Sequence, residues 1–211
     1  MQLAIRVALW LIAHTIFKVK IVGRHNIPDN GPALLVSNHI GYADGFLIAS
    51  CVRPAIRFMV WRRFFQMLGF RWILRFIRAI PVGLGGRRET VESIFQARQA
   101  LAAGQLVCIF PEGSMTRDGE LHPFKRGMEK IVEGLHVPIV PVRIDGLWGS
   151  VFSIEGERWR WRWPRRLPYR VTICFGGHMT ASAKASDVRQ SIQFLAGTDD
   201  TGDRREVRRS G

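Results

Sequence analysis

The sequence predicts an α/β fold, a single domain with a central, mostly parallel or mixed sheet flanked by helices. Three observations carry this reading. Apolar runs of strand length recur along the chain with helix-length segments between them, the alternation that layers helices over a buried sheet. The 211 residues are 47% hydrophobic, enough for one sizeable core. No internal repeat and no linker long enough to separate two domains interrupts them.

Taken in order, the first 17 residues, "MQLAIRVALWLIAHTIF", form an apolar helix interrupted by Arg6 and His14. The run is shorter than the roughly 20 apolar residues a spanning helix needs, and no small-residue cleavage site follows it. At 100° per residue Gln2, Arg6 and His14 fall on about one third of the circumference. That pattern suits an amphipathic helix lying in a bilayer interface; a helix covering the protein's own core carries it equally. The strands follow: "ALLVS" at 33–37, "IRFMV" at 56–60, "AIPV" at 79–82, "LVCIF" at 106–110 and "PIVPV" at 138–142. Segments 61–77 and 88–103 have helical spacing. Residues 150–176 read as a hairpin or two strands around "PRRLP", and a short polar helix is predicted at 186–196. The predicted organisation is a membrane-associating helix at 1–17, one domain at 18–197, and a polar, aperiodic tail at 198–211 that reads as disordered.

Lys+Arg 31 against Asp+Glu 17 gives a net charge of +14 and a pI of about 11.2. Such a field draws a protein toward nucleic acid or an anionic membrane face. Two stretches concentrate it. In "WRRFFQMLGFRWILRFIR" at 61–78, Arg71, Arg75 and Arg78 fall at i, i+4 and i+7, with Phe70, Trp72, Ile73, Phe76 and Ile77 around them. This is a basic interfacial helix, or a core helix with a solvated arginine edge. In "RWRWRWPRR" at 158–166 an extended chain puts Arg158, Arg160 and Arg162 on one face and Trp159, Trp161 and Trp163 on the other. Cys51, Cys108 and Cys174 form no close pair; Cys108 and Cys174 lie in apolar runs, where buried free thiols are common, and a reducing cytoplasmic environment is the corresponding expectation.

Two loops could carry chemistry. After the strand "ALLVS" comes "NHIGYADG", with His39 at the strand's end and Asp44 opening a helical pattern. Gly41 loosens the turn, so the carboxylate can fold back onto the ring, fix its tautomer and make the other nitrogen more basic. A capping aspartate beside a structural histidine has the same spacing. No third ligand stands at metal-binding distance in sequence. After "LVCIF" comes "FPEGSMTRDGELHPFKRG" at 110–127. Its glycines allow close backbone approach to a ligand. Glu112 would take a hydrogen bond from a substrate hydroxyl or hold a cation, while Arg117, Lys125 and Arg126 are cations within reach of an anion.

Together these blocks resemble the phospholipid/glycerol acyltransferase family, which contains lysophosphatidic acid acyltransferases. N-H-x-x-x-x-D stands complete as Asn38, His39 and Asp44. F-P-E-G stands complete as Phe110, Pro111, Glu112 and Gly113, extended by "FKRG" at 124–127. V-P-I-V-P-V is complete at 137–142. Two positions depart from the pattern. The family's second block ends its strand with an arginine, where this chain has Val82, with Arg78 before it and Arg87 or Arg88 beyond. The third block has an arginine two places after its glycine, where this chain has Met115 and then Arg117. "FPEGSMTRDGELHPFKRG" and "DGLWGS" also resemble acyltransferase domains fused to acyl-acyl-carrier-protein synthetases, which act on lysophosphatidylethanolamine.

The resemblance implies a glycerophosphate-acyltransferase-like fold and transfer of an acyl group from acyl-CoA or acyl-acyl-carrier protein to a lysophospholipid hydroxyl. 1-Acyl-glycerol-3-phosphate is the first acceptor and lysophosphatidylethanolamine the alternative. It implies His39 as general base and Asp44 as its orienter. Asn38, Phe110, Pro111, Glu112 and Gly113 would contact substrate, and Arg87, Arg117, Lys125 or Arg126 would supply charge to phosphate. Residues 138–142 would line the acyl side. No metal or bound cofactor is implied. Both substrates carry acyl chains, so the basic, tryptophan-rich surfaces are expected at the headgroups of the cytoplasmic membrane face rather than on nucleic acid. A lipid-surface module without catalysis is the first rival, and a nucleic-acid binder, supported by the charge and the Arg/Trp alternation, the second.

Overall fold

A computed structural model describes residues 15–83, 86–154 and 167–196. The predicted segments at 1–14, 158–166 and 198–211 lie outside the described residues. Strands β1 (Phe17–Val22), β2 (Ala33–Ser37), β3 (Ile56–Trp61), β4 (Ile80–Val82), β5 (Leu106–Ile109), β6 (Ile139–Asp145) and β7 (Tyr169–Phe175) form one sheet in the order β1-β7-β6-β2-β5-β3-β4. Every neighbouring pair is parallel except β6 and β7. The helices are α1 (Asp44–Cys51), α2 (Leu68–Phe76), α3 (Arg87–Ala102), α4 (Gly127–Val132) and α5 (Ala185–Phe194).

The continuous apolar runs are buried on both faces. Alternate residues of β2 enter opposite cores: Ala33 and Leu35 join Leu47 and Ile48 of α1, while Leu34 and Val36 join residues of α3, α4 and α5. Burying each Leu or Val of this strand contributes about 1.5–3 kcal/mol, an upper bound against an extended reference chain. Central strands with this pattern are the ones the sequence makes most visible.

The structure adjusts four expectations. "FKVKIV" forms β1, which begins at Phe17; that residue, placed at the end of the predicted N-terminal helix, is a buried strand residue paired with Tyr169. The exposed Lys18 and Lys20 suit an edge strand. Segment 61–77 is not one helix: Trp61 closes β3, residues Arg62–Gln66 form a 3-10 turn, and α2 begins at Leu68. Arg78 leaves the helical stripe in a left-handed conformation (φ 51°), and its carbonyl accepts the Nε–H of Arg57. In 150–176 the described strand, β7, pairs with β1 and β6.

Because β2, β3, β4, β5 and β6 run parallel, their carboxyl ends share one edge of the sheet. The loops after β2 and β5, which hold the two sequence blocks, leave neighbouring strands at that edge, as ligand sites in open α/β sheets do.

Candidate active site

The loop after β2 is fixed before it reaches the histidine. Asn38, buried at the strand's end, donates from Nδ2 to the Ile144 carbonyl (3.0 Å) and accepts the Ile144 N–H at Oδ1 (2.8 Å). It thereby clamps β2 to β6. Gly41 follows in the loop, where a Cβ would run into the carbonyl oxygen of Phe152, which accepts the N–H of Tyr42 at 3.0 Å. Only glycine lets these two segments approach so closely.

Asp44, the first residue of α1, is fully buried. Its Oδ2 accepts three hydrogen bonds: Nδ1 of His39 at 2.8 Å, the N–H of Ile40 at 2.7 Å and the N–H of Gly41 at 3.0 Å. An acceptor already taking two main-chain N–H groups fixes the ring proton on Nδ1, which leaves the lone pair on Nε2. Oδ1 is buried without a hydrogen-bond partner among the described residues. The imidazole, 23% exposed, is the one basic side chain that pairs with this carboxylate among the described residues. The negative charge is therefore directed at the ring. Phe110 stacks on its face, with centroids 4.2 Å apart and planes at 21°.

The loop after β5 approaches the same histidine from its main-chain side. Glu112 is buried; Oε1 accepts the N–H of His39 at 2.8 Å and Oε2 the N–H of His122 at 3.0 Å. The sequence placed this carboxylate on a substrate hydroxyl or a cation, and both oxygens instead hold main-chain donors. The reason is tertiary: the turn after β5 points the side chain inward, under the His39 loop. Burial raises the Glu112 carboxyl above the ordinary glutamate value, against the lowering by these two hydrogen bonds and by His39 and His122. Thr116 donates its N–H to the His39 carbonyl at 2.8 Å. His39 is thus held through its N–H, its C=O and its ring.

Gly113 has φ 78°, and a Cβ there would meet the side chain of Lys125, whose N–H bonds the Pro111 carbonyl at 2.9 Å. The Lys125 ammonium consequently lies over the P-E-G turn. Arg117 and Arg126 are exposed on the same segment, Arg126 immediately before α4. Arg87 opens α3 beyond β4, a strand that lies three places from β2 and so about 14 Å along the sheet.

Sequence reasoning missed three supports. His122 and Thr116 act through main-chain atoms, for which side-chain motifs give no signal. Arg189 of α5 donates to the carbonyls of Leu121 (2.6 Å) and His122 (3.1 Å), bracing the Glu112 loop from 67 residues away. The three cysteines are buried and form no disulfide among the described residues. Burial, with the Asp44 charge added, pushes the Cys108 thiol far up, and burial takes Cys51 to about 11. Neither serves as a thiolate nucleophile. Among the described residues no three His, Cys, Asp or Glu side chains are grouped to hold a metal ion.

This chain is similar to a chloroplastic 1-acyl-sn-glycerol-3-phosphate acyltransferase, BAT2, of Brassica napus, with 28% identity over 71% of this chain and 44% of the relative. It is likewise similar to the human 1-acyl-sn-glycerol-3-phosphate acyltransferase alpha, with 28% identity over 59% of this chain and 44% of the relative. It spans less than half the length of both. The crystal structure of the 1-acyl-sn-glycerophosphate acyltransferase PlsC from Thermotoga maritima superposes with a TM-score of 0.70 at 22% identity, covering 90% of this chain and 76% of that one. The fold is shared. The Acyltransferase family model matches residues 18–145, which contain both loops of the site, and the chain belongs to that family.

Proposed function

We propose that this chain transfers a fatty acyl group from an acyl thioester to the free hydroxyl of a lysophospholipid, with 1-acyl-sn-glycerol-3-phosphate as acceptor. One observation carries the reading: the 2.8 Å contact between His39 Nδ1 and a buried carboxylate that pairs with no other basic side chain among the described residues. In this mechanism Nε2 of His39 removes the hydroxyl proton while the oxygen attacks the thioester carbonyl carbon. The C–S bond breaks, and the imidazolium returns the proton to the departing thiolate. Asp44 stabilises the imidazolium during the attack. A positioned base of this kind contributes about 10²–10⁴-fold.

The acceptor named in the relatives supports a phosphate headgroup, and Lys125 above Gly113 supplies a cation for it, with Arg117 and Arg126 exposed on the same segment. Asn38 and Glu112 are assigned to positioning, Phe110 to packing the base, and Arg87 to a more distant part of the substrate. Met115, standing where the family pattern has an arginine, favours lysophosphatidylethanolamine as the second acceptor to test. Acyl-CoA and acyl-acyl-carrier protein are the two donors, used as co-substrates with no bound cofactor. Among the described residues no helix is long and apolar enough to cross a membrane, which suits peripheral work on the anionic cytoplasmic leaflet.

The test is acyl transfer from both donors to a panel of lysophospholipids, read by product mass, with wild type and His39→Ala. Wild-type turnover with a loss of at least about 10²-fold in the variant is the expected result. An unimpaired alanine variant overturns the mechanism. An inactive wild type across the whole panel overturns the function and leaves a lipid-surface module.

A further inference from the structure

Helix α2 wears its apolar face outward. Of its nine residues only Leu74 is buried. Leu68 is 88% exposed, Trp72 72%, Ile73 58% and Phe76 38%. Projected at 100° per residue, these four occupy an arc of about 140°, with Leu74 opposite it and Arg71 and Arg75 along one border. The preceding 3-10 turn continues the surface: Trp61 and Met67 are half-exposed, and Arg62 and Arg63 are exposed beside them. An amphipathic helix whose polar edge is arginine and whose apolar face meets solvent is built for a second phase.

Charge identifies that phase. Between Asp44 and Glu89 the chain carries nine arginines and neither an acidic residue nor a lysine. An arginine-rich field, in which Arg62 lies 3.9 Å from Glu89, around an apolar, tryptophan-bearing crest complements anionic phosphates lying over hydrocarbon. A nucleic acid strand would answer the arginines and the tryptophan but would leave Leu68, Met67 and Ile73 without a partner.

The surface also connects to the site. Tyr42, between His39 and Asp44 in sequence, lies 6.4 Å from the ring of Phe64 in the 3-10 turn, and Phe64 lies 5.8 Å from Phe70 of α2 and 6.2 Å from Trp61. These edge-on contacts fasten the helix to the loop that carries the histidine. We propose that the outward face of α2, with the 3-10 turn before it, is the docking surface for an anionic phospholipid bilayer, and that it seats the His39 loop at the depth of the headgroups. The second half of this statement rests on the function proposed above; the docking does not.

The experiment is co-sedimentation of the full chain with vesicles of phosphatidylcholine, with and without phosphatidylglycerol, at several salt concentrations. The variants are Trp72→Glu/Ile73→Glu, Arg71→Gln/Arg75→Gln and, as a catalytically impaired control, His39→Ala. The apolar pair is expected to lower partitioning onto the anionic vesicles by about tenfold or more. The arginine pair is expected to lower it several-fold and to weaken its dependence on salt. His39→Ala is expected to bind like wild type, so failure of the catalytic reading leaves this one standing. Partitioning of the apolar variant equal to wild type overturns the proposal. So does a fall of more than about 5 °C in its thermal midpoint, or a halved native mass, since either would mean that another segment or a second copy covers the face. Tighter retention on single-stranded DNA than on anionic vesicles at matched salt, lost in the same variant, overturns it in favour of nucleic acid.

Discussion

The loop at 38–44 and the segment at 62–76 both leave the carboxyl ends of parallel strands at one edge of the sheet, yet they are built in opposite ways. In the first, Asn38 and Asp44 are buried and the carboxylate at 44 takes three donors. Main-chain bonds from Glu112 and Thr116 hold the histidine on both sides. In the second, nine helical residues bury one side chain. A proton-transfer pair needs its geometry fixed beforehand, and fixing it takes donors and acceptors that water cannot reach. A surface that meets lipid needs apolar groups that the protein itself has left uncovered. The two regions adjoin through Tyr42 and Phe64, so rigid chemistry and an adhesive face sit side by side.

The largest effect tests the rigid half. Asp44→Ala should lower the acyl-transfer rate by about 10³–10⁴-fold, as loss of a triad carboxylate does. It should also destabilise the fold by about 2–4 kcal/mol in denaturant titrations, because the buried N–H groups of Ile40 and Gly41 lose their acceptor. Asp44→Asn can keep its oxygen at the Oδ2 position and set its amide where Oδ1 has no partner. It should cost similar activity with less stability. Equal stability of the two variants would show that the three donors do not depend on this side chain.

Glu112→Gln comes next. Glutamine brings one acceptor where two N–H groups need one each, so kcat should fall by about 10–10²-fold with KM nearly unchanged. The variant also isolates a pH signature. Burial raises the folded carboxyl, so the folded state holds that proton more tightly than the unfolded chain. Its contribution is most favourable below the ordinary glutamate value and is lost as pH rises through the raised folded value. The thermal midpoint of the variant minus that of wild type should therefore increase with pH across the weakly acidic range. A flat difference would mean that Glu112 is not buried as described.

The smallest effects sharpen the other half. Leu74→Ala should cost about 2–4 kcal/mol, the usual range for a buried leucine, while Trp72→Ala, two residues earlier on the other side of the helix, should change stability by less than about 0.5 kcal/mol. Comparable losses in unfolding titrations would mean that Trp72 is packed and that the two regions differ less than they appear.

Much of the site was legible. Asn38, His39, Asp44 and the 110–113 turn stand at the ends of strands whose apolar runs are unmistakable, and parallel strands bring such ends to one edge. Five-residue spacing and a loosening glycine allow the His39–Asp44 contact, and the family resemblance selects it over a capping aspartate. The misses share a cause. β1 carries two lysines in six residues, too polar for the apolar-run criterion. Trp61 and Arg78 were read into a helix because the apolar pattern continues through them; the chain breaks at Met67 and turns at Arg78, where backbone geometry rather than hydropathy decides. Glu112 reads as a partner for a substrate hydroxyl or a cation because a carboxylate repels phosphate; its partners in the structure, the N–H groups of His39 and His122, are main-chain groups.

By itself, then, the sequence determined the α/β class, the apolar runs that become buried strands, and that a histidine and an aspartate five residues apart leave the end of one of them, since all three depend on side-chain order over a few residues. Only the tertiary structure decided where Glu112 points, that Arg189 braces its loop, and that the apolar side of α2 is left bare. Amphipathic spacing shows that a helix has two faces. Which of them is covered depends on what else the chain packs against, and that is settled by contacts between segments far apart in sequence.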